Sequence, residues 1–194
     1  PFARICARTG HLRLKRIDIA DVNRENLLAG GQPRAVLAAS YDIISQEPDP
    51  SAEAEVLALM YELLQMPGLA GEAWNVELSH ESILRVFLQR FPAQFHSALL
   101  EALPQYLARG SDARVRHQLG SAGMPVSLLD EVDAWNIYED FDTAVHTLAE
   151  LLTPEERTKL AEPLAHLVSV VRLAREFSVQ SKIYLVPLFS HSHT

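Results

Sequence analysis

Apolar and polar residues alternate with period two at the start of the chain and recur with a helical period through most of its remaining length. With Thr9-Gly10 as a turn, Arg8 stands opposite His11, Ala7 opposite Leu12, Ile5 opposite Leu14 and Arg4 opposite Lys15. Strand side chains point alternately to the two faces of a sheet. This register gathers Ile5, Ala7, Leu12 and Leu14 on one side and Arg4, Arg8, His11, Arg13 and Lys15 on the other. The pattern predicts a β-hairpin over residues 1–19 with a wholly basic face. Like charges directly across a ladder repel, so such a face calls either for screening by solvent or for an acidic cover.

Helical signals fill residues 21–177. A short helix is expected from Val22 to Ala29, stopped by Gly30-Gly31, and a second from Pro33 to Ile44. Ser51 is the expected cap of a third, whose stripe is Val56, Leu57, Met60, Leu63 and Leu64. Ser79 is read as the cap of a helix to Phe91. Pro92 opens another, in which Pro104 predicts a kink or break. A short, partly basic helix starts after Ser111 and ends at Gly120, before an expected flexible loop, Gly120 to Pro125. Ser127 and Asp130 resemble a capping box, and the helical pattern then runs to Leu152 with a bend near Asn136. Thr153-Pro-Glu-Glu156 combines a cap, a proline at the first helical position and a glutamate that closes the box. Pro163 is expected to restart that helix, which ends near Phe177.

The run from Lys182 to Phe189 is rich in β-formers, and Pro187 points to an edge strand. A two-stranded ribbon is marginal in water, so residues 182–189 are expected to pair with the hairpin. The fold class is α+β, predominantly α-helical: seven or eight short helices packed with a small antiparallel sheet from an N-terminal hairpin and a C-terminal strand. One domain over residues 1–194 is expected, since no repeat or biased linker divides the chain.

Composition narrows the class. The chain has 194 residues, 48% hydrophobic and 22% charged, which are globular values. Its net charge of -8 argues against general nucleic-acid binding, which needs cations to neutralise phosphates. The charge is segregated: residues 1–16 hold five Arg or Lys and no acid, whereas Asp130 to Glu156 holds nine acids and no Arg or Lys. A single cysteine, Cys6, and the lack of a signal-peptide pattern point to a cytoplasmic setting, or to a virion component in a cytoplasmic host. Pro1 is what removal of an initiator methionine, or a processing cleavage, leaves. No apolar run suits a bilayer, so no membrane contact is expected.

Candidate chemistry is sparse. Glu139, Asp142, His146 and Glu150 have a helical spacing that places carboxylates and an imidazole on one face, a metal-binding arrangement. A solvated face opposite Phe141, Val145, Leu148 and Leu152 is the simpler reading, and no metal or cofactor is expected. His191 and His193 read as a tail. Gly120-Ser-Ala-Gly123 lacks the lysine and strand-to-helix setting of a phosphate loop. Trp74 and Trp135 suit either interface anchors or plugs at the edge of a core.

The sequence therefore predicts a non-catalytic interaction or assembly subunit, such as a helical adaptor, a chaperone or a structural component. Its partner would be a protein or a second copy. Arg4, Arg8, Arg13 and Lys15 would meet an acidic surface around Asp130, Asp133 and Asp142, with Trp135 as an apolar anchor. The second reading is a small enzyme with a site assembled from His80, His96, His117, His146 or His166 and distant carboxylates. A nucleic-acid role for the hairpin ranks third, because it has cations but no stacking aromatics among them.

Overall fold

The computed structural model describes residues 7–8, 10, 14–24, 34–45, 47–66, 75–106 and 112–188. Its first sheet is a two-stranded antiparallel ribbon of β1, Leu14–Arg24, and β2, Arg34–Ile44, in register from Leu14↔Ile44 to Arg24↔Arg34. Residues 14–19 of the expected second arm are a strand, with residues 39–44 as their partner. Residues 7–8 are helical and Gly10 has φ 64°, whereas residues 11–13 of the expected second arm lie outside the described residues. The rest of the expected first arm lies outside the described residues.

The expected helix over 33–44 is thus a strand, and residues 22–24 of the expected first helix belong to β1. Leu37, Ala39, Tyr41 and Ile43 repeat every second residue, and the eleven-residue ladder outweighs the proline and alanine helix cues.

A second sheet has the order β3-β5-β4, with β3 at Val76–Leu78, β4 at Glu139–Asp140 and β5 at Ile183–Leu185. Strand β5 pairs parallel with β3 and antiparallel with β4. The expected C-terminal edge strand is therefore central, and it does not join the hairpin. Ile183 and Leu185 are buried, and both flanks are hydrogen-bonded: Val76 N donates to Lys182 O at 3.0 Å, and Val186 N to Leu78 O at 2.8 Å. Pro187 falls after the pairing ends, where its missing N–H costs nothing.

Seven α-helices complete the described residues: α1 Pro50–Leu64, α2 Glu81–Gln89, α3 His96–Tyr106, α4 Asp112–Ser121, α5 Val126–Ala134, α6 Phe141–Leu151 and α7 Pro154–Glu176. The architecture is α+β and predominantly helical. Helix α1 is capped by Asp49, whose carboxylate accepts from Ser51 N at 2.9 Å. Helix α2 is capped by His80, whose Nδ1 accepts from Ser82 N at 3.1 Å. The expected caps, Ser51 and Ser79, lie two residues and one residue away.

Helix α3 runs through Pro104 to Tyr106, and α7 runs through Pro163 without restarting. The expected helix to Leu152 is not bent at Asn136 but broken, because Trp135 ends α5 and β4 intervenes before α6. The Ser127–Asp130 box does not form; Pro125 takes the cap position of α5, without a side-chain cap bond. The Gly120–Pro125 segment is a helix terminus. Met124 N donates to Leu119 O at 3.1 Å and Gly123 N to Gly120 O at 3.0 Å, the double bond of a Schellman motif with Gly123 at φ 85°.

Helices α2 to α7 and β5 enclose the core. Ile83, Phe87, Leu99, Leu103, Leu119, Trp135, Phe141, Leu148, Leu160, Ile183, Leu185 and Leu188 are fully buried, each stabilising the fold by about 1.5–3 kcal/mol. Helix α1 packs along α7, and His166 Nε2 lies 3.0 Å from Glu53 Oε1 across that contact. Among the described residues no helix is long and apolar enough to cross a membrane.

Candidate nucleic-acid interface

The β1–β2 ribbon is built from two chemically unlike faces. Lys15, Ile17, Ile19 and Asp21 share one with Leu37, Ala39, Tyr41 and Ile43. Leu14, Arg16, Asp18, Ala20 and Val22 share the other with Val36, Ala38, Ser40, Asp42 and Ile44. Consecutive residues of a strand face opposite ways, so Lys15 and Arg16 are separated rather than part of one basic surface.

Both cations are engaged within the chain. Lys15 Nζ donates to the Glu55 carboxylate of α1 at 2.5 and 2.6 Å, and Tyr41 Oη donates to the same group at 2.6 Å. The hydrogen bond to Glu55 raises the Tyr41 phenol above its ordinary value, with burial and the Glu55 charge adding to it. These contacts fasten the ribbon to α1. Arg16 donates from Nε to Asp42 at 2.9 Å, with its Nη2 2.7 Å from the same carboxylate and Nη1 3.8 Å from Asp18. Arg8 is exposed. Arg4, His11 and Arg13 lie outside the described residues.

At the other end of the ribbon, Arg24 and Arg34 are register partners. Two like charges placed directly across a ladder destabilise it unless an anion lies near. The first 34 residues hold seven Arg or Lys (4, 8, 13, 15, 16, 24 and 34) against three acids (18, 21 and 25). This arm is net +4 in a chain of net -8.

Two of the acidic residues expected to meet the basic face are paired within the chain. Asp130 lies 2.9 Å from Arg116 Nη2, and Asp133 pairs with Nη1 of the same guanidinium. Trp135 is enclosed in the chain's own core, its ring 5.3 Å from Phe87 and 4.8 Å beneath the Arg90 guanidinium. It offers no exposed anchor.

Asp142 is exposed in the first turn of α6. Glu139 lies in β4 rather than on that helix and accepts from Thr147 Oγ1 at 2.9 Å, while His146 Nδ1 is 3.5 Å from Glu150. Among the described residues no three His, Cys, Asp or Glu groups are arranged to hold a metal ion.

Sequence reasoning missed Glu55, Arg24 and Arg34. The available signal was the period-two run over 37–43, flanked by Arg34 and preceded by Gly30-Gly31.

Comparison with known proteins sets this geometry in context. The sequence model of the family described as histidyl-tRNA synthetase matches residues 3–190. The eIF-2-alpha kinase GCN2 of Mus musculus is 33% identical over 90 residues, which are 45% of this chain and 6% of that protein. The Homo sapiens protein is 32% identical over 90 residues, with the same shares. The chain thus spans about 6% of the length of the curated relatives it matches. The family match overturns two expectations: the adaptor or assembly subunit, and a partner set without nucleic acid. The second failed for a physical reason. Net charge sums over the chain and hides a basic arm opposed by a larger acidic remainder.

Proposed function

The chain belongs to the histidyl-tRNA synthetase family, and we propose that it is an RNA-handling module whose ligand is tRNA, gripped by the basic arm of residues 1–34. The match over residues 3–190 carries this reading, because it includes nearly the whole arm and the helical body behind it. The arm's charge supports it. Phosphate contacts from Arg and Lys supply most of the sequence-independent affinity for nucleic acid. Arg24 and Arg34, opposed in register, set two cations at one end of the ribbon, and arginine is the residue type best matched to phosphate. Lys15 and Arg16 are held by carboxylates within the chain, and the RNA contact is assigned to Arg24 and Arg34 on their charge and their paired positions in the register.

The acidic remainder gives the binding a direction. It repels a polyanion from the helical body and steers it to the arm. The single cysteine suits a reducing, cytoplasmic setting.

Filter binding of tRNA to the 194-residue chain across a salt series tests the proposal. The expected result is binding that weakens steeply with salt, with a log–log slope shallower by about 2 in Arg24→Ala/Arg34→Ala. No retention of tRNA at low salt overturns the function. Retention with an unchanged slope in the double variant overturns the assignment to the ribbon.

A further inference from the structure

We propose that a pocket of about 430 Å³ between the end of α7, the start of β5 and the cap of α6 binds a phosphorylated sugar, its phosphate held by Arg175 and Lys182 and its hydroxyls by Asp140 and Gln180. The pocket is lined by Asp140, Arg175, Gln180, Ser181, Lys182, Ile183 and Tyr184, and its volume lies within the range that takes small-molecule ligands.

The inventory of polar groups names the ligand. Arg175 and Lys182 make no salt bridge among the described residues, although Asp140 lines the same pocket. The Ser181 hydroxyl is buried without a hydrogen-bond partner among those residues. It sits below the pocket surface, so the ligand's contacts come from the other polar groups of the lining. The Arg175 guanidinium and the Lys182 ammonium together present donors in excess, which suits the several oxygens of a phosphate.

Asp140 adds the opposite requirement. Its Oδ2 accepts from Thr143 Oγ1 at 2.7 Å, and the two Thr143 hydrogen bonds hold the carboxyl below its usual range. It therefore stays an ionised acceptor, which disfavours a bare dianion and favours a ligand that also carries hydroxyl donors. Phosphate and hydroxyls on one small molecule meet both demands.

The walls are well supported. Ser178 N donates to Arg175 O at 3.0 Å and Val179 N to Ala174 O at 3.1 Å, so a Schellman terminus fixes the chain between Arg175 and Gln180. Lys182 is held by the Val76 N–H on its carbonyl, and Tyr184 stacks on Tyr138 with ring centroids 4.8 Å apart. This pocket is separate from the basic arm, and its test uses no RNA.

Isothermal titration of the full chain with ribose 5-phosphate and with glucose 6-phosphate, against ribose, glucose and inorganic phosphate, decides the matter. The expected result is one site for at least one sugar phosphate, at least tenfold weaker inorganic phosphate, and no heat from the free sugars. Arg175→Ala and Lys182→Ala, both at exposed positions, are each expected to lose at least tenfold in affinity while their thermal melts match the parent. Absence of heat with both sugar phosphates, equal affinity for inorganic phosphate, or unchanged affinity in both variants overturns the proposal.

Discussion

Glu156 holds the Arg90 guanidinium through both carboxylate oxygens, at 2.9 Å to Nε and 2.5 Å to Nη2. The two residues join the C-terminus of α2 to the first turn of α7. The same glutamate closes the capping box of α7, accepting from Thr153 N at 2.8 Å. Arg90 also donates to Leu151 O at 2.8 Å and pairs with Glu131, whose carboxylate accepts from Trp135 Nε1 at 3.2 Å. One guanidinium thus ties α2, α5 and both sides of the α6–α7 junction over the ring of Trp135.

That contact makes stability depend on acid. The hydrogen bonds from Arg90, with the Thr153 bonds adding to them, lower the Glu156 carboxyl from 4.5 to about 2 against an opposing effect of burial. Because the folded value lies below the unfolded one, the contribution is complete above about pH 4.5 and is lost as pH falls towards 2. Glu156→Gln is expected to cost about 1–3 kcal/mol at pH 7 and progressively less as pH falls from 4.5 to 2. Urea unfolding at a series of pH values measures it, and a cost independent of pH refutes the account.

Trp135 is expected to behave as a core residue. Its ring fills the space between Phe87 and Arg90 and is fully buried. Trp135→Ala should cost about 3–5 kcal/mol in urea unfolding, and Trp135→Phe clearly less. A stable Trp135→Ala chain would contradict this placement.

How much of the fold was legible depends on the range of each interaction. The Thr153-Pro154-Glu155-Glu156 start could be read whole, since cap, proline and box lie within four residues. The caps Asp49 and His80 were displaced onto Ser51 and Ser79, because several capping residues crowd each helix start and only geometry selects among them. Strand β2 read as a helix because Pro33 and three alanines are local cues, whereas its partner β1 is set by a ladder. Strand β5 was visible as a β-former but its neighbours were not: Val76 and Glu139 pair with it from far along the chain. The engagement of Lys15 was hidden for the same reason. Lys15 looked like part of a free basic face until Glu55, 40 residues on, came to meet it.

Two helix ends allow a paired experiment. Ser178 and Gly123 both occupy the left-handed position of a Schellman motif, at φ 66° and 85°. That conformation costs a residue with a Cβ about 1–2 kcal/mol, although the entropy of glycine offsets part of the gain. Ser178→Gly is expected to raise stability by up to about 1 kcal/mol. Gly123→Ala is expected to lower it by about 1 kcal/mol through the backbone alone, since a Cβ there meets nothing within 4 Å. Thermal melts of the two variants should move in opposite directions.

The Glu55 carboxylate is the point where the ribbon's charge can be altered without touching an arginine. It accepts from Lys15 at 2.5 and 2.6 Å and from Tyr41 at 2.6 Å. Glu55→Gln removes the charge while keeping an acceptor of the same shape, and this one change has two consequences. The Tyr41 phenol, raised by Glu55, should fall back towards its ordinary value, which chemical-shift titration of labelled tyrosine detects. Lys15 is released from its ion pair, but it stands on the face opposite Arg24 and Arg34 and at the other end of the ribbon, so the log–log salt slope for tRNA should keep its parent value. Glu55→Gln/Lys15→Ala should show that same slope and the same Tyr41 shift. A steeper slope in Glu55→Gln, returned to the parent value by Lys15→Ala, would place Lys15 in the RNA footprint and refute its confinement to the Arg24–Arg34 end of the ribbon.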